Sequence, residues 1–503
     1  MTLLSLAVKP ELKSDLPIRA IQFGEGNFLR TFVDWMLFKL NQKGLFNGRV
    51  LVVQPIPTGK VIPLLEQQDY LYTVIMHGFE NGVAQEVCEV VNSIAGGLNP
   101  YAEGKWAELK EAFCSKDLKF VFSNTTEAGI VYVKEEGLGE NAPMSYPAKL
   151  AALMYKRFNA FRGTDCACNA GLVIMPCELI EKNGIRLKEI ILQHADDWAL
   201  GDEFKAYIEE DCLFLSTLVD RVVSGYPFND AAAYNAKFGY EDKVMTCGEL
   251  FHFLAIEGDD RVKELLPFQK IGLNVVVAPD ITPYRLRKVR ILNGTHTSNV
   301  PAAFLAGLDT VDQMMDHQVT GKFARSVIYD EIIPAVNLDK KMLTEFADAV
   351  VNRFCDPSLH HQLSSILMNC TSKMKARVIP SILDARAKGV LPRKLCFAVA
   401  AYIALYRNAK AGEGTVKVQR AQGKTGEFMD DAYAIEKLAK AWGAYKQTEA
   451  SALMTVKAVL SDNRLWSRDL AADVDVTALT AKLLHGIISD GVLPVMRDLL
   501  EHA

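Results

Sequence analysis

Residues 19–40 read RAIQFGEGNFLRTFVDWMLFKL. The first five form an apolar run typical of a short buried strand, and the apolar residues of 28–40 recur at helical spacing. Between them lies a G-x-G turn, Gly24 to Gly26, in which glycine lets the backbone approach a phosphate while the following helix N-terminus points N–H groups at it. The stretch therefore predicts the strand–turn–helix unit of a Rossmann-like dinucleotide-binding domain.

The glycine turn departs from the full G-x-G-x-x-G pattern, because Leu29 takes the place of the third glycine. A simple strand-to-helix turn is the alternative interpretation. After the next predicted strand, Gln54 stands where an acidic residue would hold the ribose hydroxyls. Glutamine can bond a hydroxyl but does not repel a 2′-phosphate, so the sequence favours NAD and leaves NADP open. The predicted dinucleotide-binding residues are Ile21, Gln22, Phe23, Gly24, Glu25, Gly26, Asn27, Phe28, Leu29, Arg30 and Gln54.

The rest of the chain continues this pattern and then changes. Further strand-like runs lie at 49–53, 119–123, 171–175 and 273–278, and their alternation with helical stretches predicts a parallel sheet with helices on its faces. After residue 283 long amphipathic stretches dominate, as at 395–406 and 432–444, while the Gly-, Lys- and Gln-rich 410–425 is expected to be an exposed loop. We expect an α/β Rossmann-like domain over 1–282 and a mostly α-helical substrate domain over 283–503.

Composition narrows the class of protein. A chain of 503 residues is too long to fold around a single hydrophobic core. Its content of 50% apolar and 23% charged residues is ordinary for a globular protein. The net charge of -5 argues against nucleic acid or anionic membrane as partners, and no apolar run reaches the roughly 20 residues of a membrane span. The N-terminal residues lack the features of a secretory signal, and ten scattered cysteines suit reduced thiols, so we expect a cytoplasmic protein.

No metal site is predicted. Cys166 and Cys168 form a lone C-x-C without a second pair nearby, whereas zinc usually takes four ligands, or three with a water. His360 and His361 are adjacent, so on a helix they would point about 100° apart. Two loop or core thiols are the expected state of Cys166 and Cys168.

A basic segment, TPYRLRKVRILNGTH at 282–296, carries the most chemical information. If an α-helix begins near its proline, Arg285, Lys288, Asn293 and His296 fall within one arc of about 140°. A lysine among other cations has a lowered pKa and can pass a proton to a carbonyl oxygen that receives a hydride, while Asn and His can hydrogen-bond that oxygen. A solvated helix face, or a cluster that binds an anionic partner, is the alternative.

The K-x-R-x-L-N-x-x-H signature, Lys288 to His296, resembles that of the mannitol dehydrogenase family of polyol-specific long-chain dehydrogenases. The glycine turn, TTEAG at 125–129 and VDR at 219–221 share this resemblance, which therefore spans most of the chain. It implies a Rossmann-like N-terminal domain and a helical C-terminal domain, with the active site in the cleft between them.

The same resemblance assigns roles to residues of this sequence. It implies that Lys288 is the acid/base without a metal, that Asn293 and His296 bind the oxyanion, and that Glu127 takes part in proton traffic. Asp220 matches an aspartate close to the substrate, although pairing with Arg221 is an equal alternative. Two further matches with substrate-side helices of the family are Arg353 and Lys373.

Departures from the mannitol branch favour a charged substrate. That branch has S-C-D-N where this chain has PCEL at 176–179, so Leu179 replaces an amide that would bind a hydroxyl. Arg285 and Arg287 add cations beside the lysine, and a guanidinium can hold a carboxylate through two bonds. The resemblance then implies a small sugar-acid substrate, with D-tagaturonate reduced to D-altronate by NADH, in a monomer or small homo-oligomer. Fructuronate, mannitol and a non-enzymatic dinucleotide sensor are the alternatives.

Overall fold

The computed structural model describes residues 1–80, 83–126, 128–165, 170–357 and 361–502. Its chain divides into two units, Met1–Ile281 and Thr282–Ala503. The strands of the first unit are β1 (Ile18–Phe23), β2 (Arg49–Val53), β3 (Tyr72–Glu80), β4 (Val83–Val91), β5 (Ile94–Leu98), β6 (Phe120–Ser123), β7 (Val173–Pro176), β8 (Leu213–Phe214), β9 (Thr217–Asp220), β10 (Val223–Gly225), β11 (Thr246–Glu249), β12 (Phe253–Glu257) and β13 (Val275–Ala278).

The main sheet has six strands in the order β5-β2-β1-β6-β7-β8, and every neighbouring pair is parallel. Numbered by their sequence within this sheet, the strands stand in the Rossmann order 3-2-1-4-5-6. The order reverses between β1 and β6, and the crevice at such a reversal is where ligands bind in open α/β sheets. The predicted α/β fold class is confirmed, with the runs at 19–23, 49–53, 119–123 and 171–175 forming β1, β2, β6 and β7.

Both faces of this sheet are covered, because successive strand residues enter different cores. In β1, Ala20 packs into one apolar cluster, whereas Ile21 and Phe23 pack into the other. The helices of the first unit are α1 (Asn27–Thr31), α2 (Val33–Asn41), α3 (Val61–Glu66), α4 (Lys105–Phe113), α5 (Tyr146–Phe161), α6 (Asn183–Asp197), α7 (Asp202–Ala206), α8 (Ala231–Phe238) and α9 (Asp260–Leu265). Helices contribute to both clusters, for example α2 to the first and α5 to the second. A strand buried on both sides reads as a continuous apolar run, which is why these strands were recognisable in the sequence.

Two smaller sheets were not predicted. One has the order β10-β11-β3-β4 and is built on the long antiparallel β3–β4 pair, and the other has the order β13-β12-β9. The strand predicted at 273–278 exists as β13 but belongs to this third sheet and not to the main one. An apolar run indicates a strand without indicating which strand it pairs with.

The helix predicted over 28–40 is interrupted at Phe32, whose φ and ψ are -117° and -80°. Carbonyl oxygens that would accept hydrogen bonds within a continuous helix instead accept them from side chains of other elements. Tyr72 donates its hydroxyl to the Arg30 carbonyl at 2.9 Å, and Arg221 donates Nη1 to the Thr31 carbonyl at 2.6 Å. These tertiary bonds compensate for the broken turn, and the local pattern of 28–40 does not reveal them.

The second unit is mostly helical, with one hairpin. Its helices are α10 (Thr282–Arg287), α11 (Gly294–Leu305), α12 (Val311–Asp316), α13 (Thr320–Ser326), α14 (Ile333–Ala335), α15 (Lys340–Phe354), α16 (Leu363–Leu367), α17 (Cys370–Lys373), α18 (Ile379–Ala387), α19 (Arg393–Leu405), α20 (Ala432–Gly443), α21 (Glu449–Leu460), α22 (Asn463–Trp466), α23 (Val474–Ser489) and α24 (Val492–Glu501). In the described part of the chain, no helix is both long and apolar enough to cross a membrane.

The prediction of a loop at 410–425 is wrong for residues 415–419 and 425, which belong to strands, whereas most of the segment is exposed as predicted. An antiparallel hairpin forms there from β14 (Thr415–Gln419) and β15 (Thr425–Met429). Val416 and Val418 point inward and their neighbours point outward, which is the period-two pattern of a half-buried strand. The many Gly, Lys and Gln residues around this short pattern concealed it.

Several helices run into wide turns with π-helical hydrogen bonding, in which residue i+5 bonds back to residue i. Those of the second unit are Lys288–Asn293, Val327–Ile332 and Met374–Val378. The first continues directly into α11, and the third packs against both the first and α11. Such turns are often found at functional sites.

Candidate active site

Gly24 directly follows β1, at the point where the strand order reverses. Its φ is +117°, and a Cβ placed on it would lie 2.8 Å from the carbonyl oxygen of Asn124, which follows β6. A side chain at Gly24 is therefore excluded by both conformation and space. Gly26 has no atom within 4 Å of its virtual Cβ, so the outer side of the turn is open. This is the arrangement that a bound pyrophosphate requires.

Gln22 supports the glycine turn from behind. Its Nε2 donates to the Gly24 carbonyl and to Oδ2 of Asp34, each at 3.0 Å. Asp34 is fully buried in α2, and burial raises the pKa of its carboxyl to about 7. Within the described residues, Oε1 of Gln22 and Oδ1 of Asp34 have no hydrogen-bond partner. The sequence did not single out Asp34, although an aspartate among apolar helix residues is a signal of such a role.

Arg30 holds the same turn from inside the protein. Its Nε donates to the Glu25 carbonyl at 3.1 Å, its Nη2 donates to Asn27 at 2.6 Å, and its Nη1 donates to the Val244 carbonyl. Burial lowers the pKa of Arg30. These contacts make Arg30 a positioning residue, and direct binding of a dinucleotide by its guanidinium stays a prediction.

The other predicted dinucleotide-binding residues differ in what they expose. The side chains of Ile21, Phe23 and Leu29 are buried in the core, so only their backbone could contact a ligand, whereas Phe28 is half-buried. Gln54 is 1% exposed and donates Nε2 to the Ile56 carbonyl at 2.6 Å. Its predicted bond to a ribose hydroxyl would have to replace or share this contact.

The loop after β6 is tied to Glu178. One carboxylate oxygen accepts from the backbone N–H and the hydroxyl of Thr125, both at 2.9 Å, and the other accepts from Ser123 at 3.0 Å. Thr126 has a φ of +68°, which is strained for a β-branched residue and is typical of functional loops. The predicted proton carrier Glu127 lies outside the described residues. Sequence reasoning named Glu178 only as part of PCEL and missed its role.

Asp220 ends β9 and is 5% exposed. Its neighbour Arg221 donates to the Glu249 carbonyl at 2.7 Å and stacks over Trp35 at 4.6 Å, and burial lowers its pKa to about 10. Arg221 thus joins three elements of the first unit. Both interpretations of Asp220, as a substrate contact and as a partner of Arg221, stay open. Leu179, which replaces an amide of the mannitol branch, is 56% exposed.

In the second unit, Lys288 and Asn293 are the first and last residues of a wide turn. The backbone N–H of Gly294 donates to the carbonyl of Val289, five residues earlier. The sequence assumed an α-helix, in which residues five apart are about 140° apart. Closing the turn over five residues brings Lys288 and Asn293 onto one side of the helix, more closely than an α-helix would. Both side chains are half-buried.

His296 lies in the first turn of α11 and is 6% exposed. Its ring stacks on Phe354 with a centroid distance of 4.1 Å and meets the edge of His361 at 5.2 Å. Burial, followed by the charges of His361 and Arg377, holds the pKa of His296 well below its usual range, so the ring is neutral. Its Nε2 has no hydrogen-bond partner in the described part of the chain.

The arginines around Lys288 separate into different roles. Arg290 pairs with Asp384 at 2.6 Å and donates to Ser381 at 2.9 Å, which fixes it within the second unit. Arg287 lies over the ring of Phe346 at 4.4 Å. Arg285 is half-buried and stays the candidate on this helix for a carboxylate contact.

Two of the cations near His296 follow α16. Lys373 donates Nζ to the Ile366 carbonyl at 2.9 Å, and Arg377 donates Nη1 to the hydroxyl of Thr297 at a long 3.4 Å. Arg353, in α15, also depresses the pKa of His296. The predicted Lys373, Arg353 and His296 therefore come together. Arg377 was missed, and its only signal was the basic spacing in TSKMKAR at 371–377.

Among the described residues, no group of three or more His, Cys, Asp or Glu could hold a metal ion. Cys166, Cys168 and His360 lie outside the residues that the structure describes. His361 contacts His296 instead of a second ligand.

Residues 18–270 match the sequence profile of the mannitol dehydrogenase Rossmann domain, and residues 280–487 match that of the mannitol dehydrogenase C-terminal domain. The chain belongs to the mannitol dehydrogenase family. This confirms the resemblance that began with the motif from Lys288 to His296. The Rossmann profile covers the glycine turn, and the C-terminal profile covers Lys288 and the cations near His296.

Within the mannitol dehydrogenase family, the chain is similar to curated altronate oxidoreductases. That of Pectobacterium carotovorum subsp. carotovorum (strain PC1) is 41% identical over 478 residues, covering 95% of this chain and 96% of the relative. That of Halalkalibacterium halodurans is 39% identical over 97% of this chain and 94% of the relative.

Two solved structures share the fold along the whole chain. Substrate-free D-sorbitol dehydrogenase has a TM-score of 0.76 and 19% identity, covering 98% of this chain and 100% of its own. The complex of Pseudomonas fluorescens mannitol 2-dehydrogenase with NAD and D-mannitol has a TM-score of 0.71 and 18% identity, covering 100% of both chains. At these identities the likeness establishes the architecture.

Proposed function

We propose that this chain is an NAD-dependent oxidoreductase that interconverts D-tagaturonate and D-altronate, with Lys288 as the acid/base. The observation that carries the substrate is the identity of about 40% with altronate oxidoreductases along nearly the whole of both chains. The wide turn that aligns Lys288 with Asn293 supports the role of the lysine.

The first unit fits a dinucleotide at the glycine turn. Gly24 lets β1 and β6 approach closely, Gly26 leaves the outer side open, and Gln22 and Arg30 fix the backbone between them. The bound cofactor supplies the hydride that reduces the keto carbon. Gln54 adds no charge against a 2′-phosphate, so the preference for NAD is part of the proposal. Residues 1–282 would serve the cofactor and residues 283–503 the substrate.

The second unit supplies the proton and holds the oxygen. Lys288 protonates the oxygen that gains negative charge during reduction, and it takes the proton back in the direction of oxidation. Asn293 donates an amide N–H to the same oxygen, which stabilises the developing charge. Because His296 is neutral, it adds a directional hydrogen bond without a second positive charge. Glu127, Asp220 and Arg353 are proposed as further members of the site.

We also infer a cytoplasmic enzyme, monomeric or a small homo-oligomer, that acts on a free sugar acid without a metal. Lysine as acid/base and the amide and imidazole around the oxygen leave no step that needs a Lewis acid. Activity should therefore be unchanged after dialysis against a chelator.

The test is NADH oxidation by the full chain with D-tagaturonate, D-fructuronate and D-fructose side by side, for wild type and Lys288→Ala. We expect preference for tagaturonate and a loss of at least about 100-fold in kcat for the variant, because general acid/base catalysis contributes about that much. Lys341→Ala, which removes an exposed lysine of α15, is the matched control and should retain full activity.

Each contrary outcome identifies the part that fails. Preference for fructose would reject the carboxylate argument, and preference for fructuronate would move the substrate to the other stereochemical series. Full activity of Lys288→Ala would remove the lysine as acid/base. No turnover of any ketose would favour the sensor hypothesis.

A further inference from the structure

Two cations, Lys373 and Arg377, converge on His296 from a segment more than 70 residues further along the chain. Both side chains are half-buried, and burial lowers the pKa of each. Arg377 bonds to Thr297, the residue next to His296, and each cation contributes to the low pKa of His296. Like charges gathered in a partly desolvated place repel one another, and a bound anion would relieve that repulsion.

The donors of these two cations are largely unused by the described residues. A guanidinium has five N–H donors, yet the described contact of Arg377 is one long bond to Thr297. Lys373 donates to a single carbonyl, that of Ile366. Asp430 also influences Lys373, but one of its carboxylate oxygens already accepts two bonds from Thr371. No carboxylate of the described residues forms an ion pair with either cation.

A ring nitrogen of His296 near Lys373 and Arg377 lacks a hydrogen-bond partner in the part of the chain that the structure describes. Nε2 of His296 is buried without a hydrogen-bond partner among the described residues, and a buried polar atom of this kind costs free energy unless a ligand or water binds it. The adjacent aromatic face of Phe354 closes one side of the ring. The unpartnered Nε2 of His296 and the two cations therefore lie in the same part of the second unit.

The backbone holds this region against the lysine segment. Arg377 belongs to the wide turn Met374–Val378, which packs against the wide turn Lys288–Asn293. Gly294 lies against this turn, because a Cβ placed there would be in van der Waals contact with the Arg377 carbonyl oxygen at 3.6 Å. The segment that carries Arg377 therefore packs directly against the segment that carries the proposed acid/base.

We propose that Arg377, assisted by Lys373, binds the carboxylate of the sugar acid. This inference rests on the proposed function and names the residue that would recognise the carboxylate of the substrate. The carboxylate of tagaturonate is at the opposite end of the carbon chain from the keto group, and a guanidinium can hold it through two parallel bonds. Arg377 thereby replaces Arg285 as the main determinant of specificity for an acid over a neutral polyol.

The experiment is calorimetric titration of D-altronate into the full chain saturated with NADH, a combination that binds without turnover. Arg377→Met should weaken altronate binding about 10- to 150-fold, since a charged hydrogen-bonded contact of this kind is worth roughly 1.5–3 kcal/mol and about 1.4 kcal/mol is a factor of ten. Lys375→Met is the matched control: Lys375 lies two residues away and bonds to Ser467, so its loss should change the Kd less than about twofold.

Altritol, the neutral polyol of the same configuration, separates charge recognition from general damage. Arg377→Met should lose affinity for altronate far more than for altritol, and Arg377→Lys should fall between wild type and Arg377→Met. An unchanged NADH affinity in all variants verifies that they fold. Equal losses for both ligands, or a larger loss in Arg285→Met, would overturn the assignment.

Failure of the proposed function would look different. Wild type that binds altronate through Arg377 but does not reduce tagaturonate would refute the reaction and leave the carboxylate site standing. Wild type that reduces tagaturonate while Arg377→Met binds altronate normally would refute the site and leave the reaction standing. Absence of altronate binding in wild type would refute both.

Discussion

Gly24 and Gly26 lie two residues apart in one turn but differ in what they tolerate. Gly24→Ala combines a left-handed φ with a contact to the Asn124 carbonyl, so we expect it to lower the free energy of unfolding by about 1–3 kcal/mol and to weaken NADH binding. Gly26→Ala meets no neighbouring atom at a φ of -66° and should cost about 1 kcal/mol or less. Urea unfolding of both variants measures the difference, and equal costs would contradict the close packing of β1 and β6.

Asp34 makes the stability of the first unit depend on pH. Its pKa is about 7 in the folded chain against an ordinary value of 3.8, so between these values the folded state holds a proton that the unfolded state has released. The free energy of unfolding therefore falls as pH rises from about 4 to about 7, and then levels off. We expect Asp34→Asn to be more stable relative to wild type at pH 8 than at pH 5, by up to about 2.5 kcal/mol.

Urea unfolding at both pH values checks this expectation for Asp34. Asp117→Asn, an exposed substitution in the same unit, is the control and should change little with pH relative to wild type. A stability difference between Asp34→Asn and wild type that is the same at pH 5 and pH 8 would show that the carboxyl is already ionised in the folded chain at pH 5.

At the scale of elements, sequence reasoning succeeded where the signal was local. The runs that became β1, β2, β6 and β7 are buried on both sides and therefore continuously apolar. It failed where a distant group decides the structure. Arg221 and Tyr72 supply the hydrogen bonds that compensate for the break at Phe32, and the wide turn at Lys288–Asn293 changes the angular spacing that an α-helix would impose. Neither effect is visible in a window of neighbouring residues.

Part of the candidate site was predictable for the same reason. The glycine turn and the motif from Lys288 to His296 are compact in sequence, so each could be recognised as a pattern. The support from Glu178 and Asp34, and the approach of Arg377 to His296, arise from residues brought together only by folding. A basic side chain that faces a ligand and one that faces solvent look identical in a linear sequence.

At the scale of the molecule, the two units have separate apolar cores, so ligands of different chemistry should protect different segments. In hydrogen exchange followed by mass spectrometry, we expect NADH to slow exchange most at 22–30. D-Altronate added afterwards should slow exchange most at 288–297 and 373–377. Residues 449–460, which form α21, serve as the reference segment. Protection by altronate confined to the first unit would contradict the proposed division of labour.

Because of the wide turn at Lys288–Asn293, the position of Lys288 relative to α11 depends on the number of residues in this segment. Relative to an ordinary helix, this stretch contains one residue of insertion, and its removal would restore a regular register. Because α11 is buried from Gly294 to Phe304, it could not rotate in response, so the short α10 and Lys288 would turn instead by about 100°. We therefore expect a homologue that is one residue shorter here to fold normally but to lack activity. In an alignment of the family, a one-residue gap at this place would indicate an inactive member.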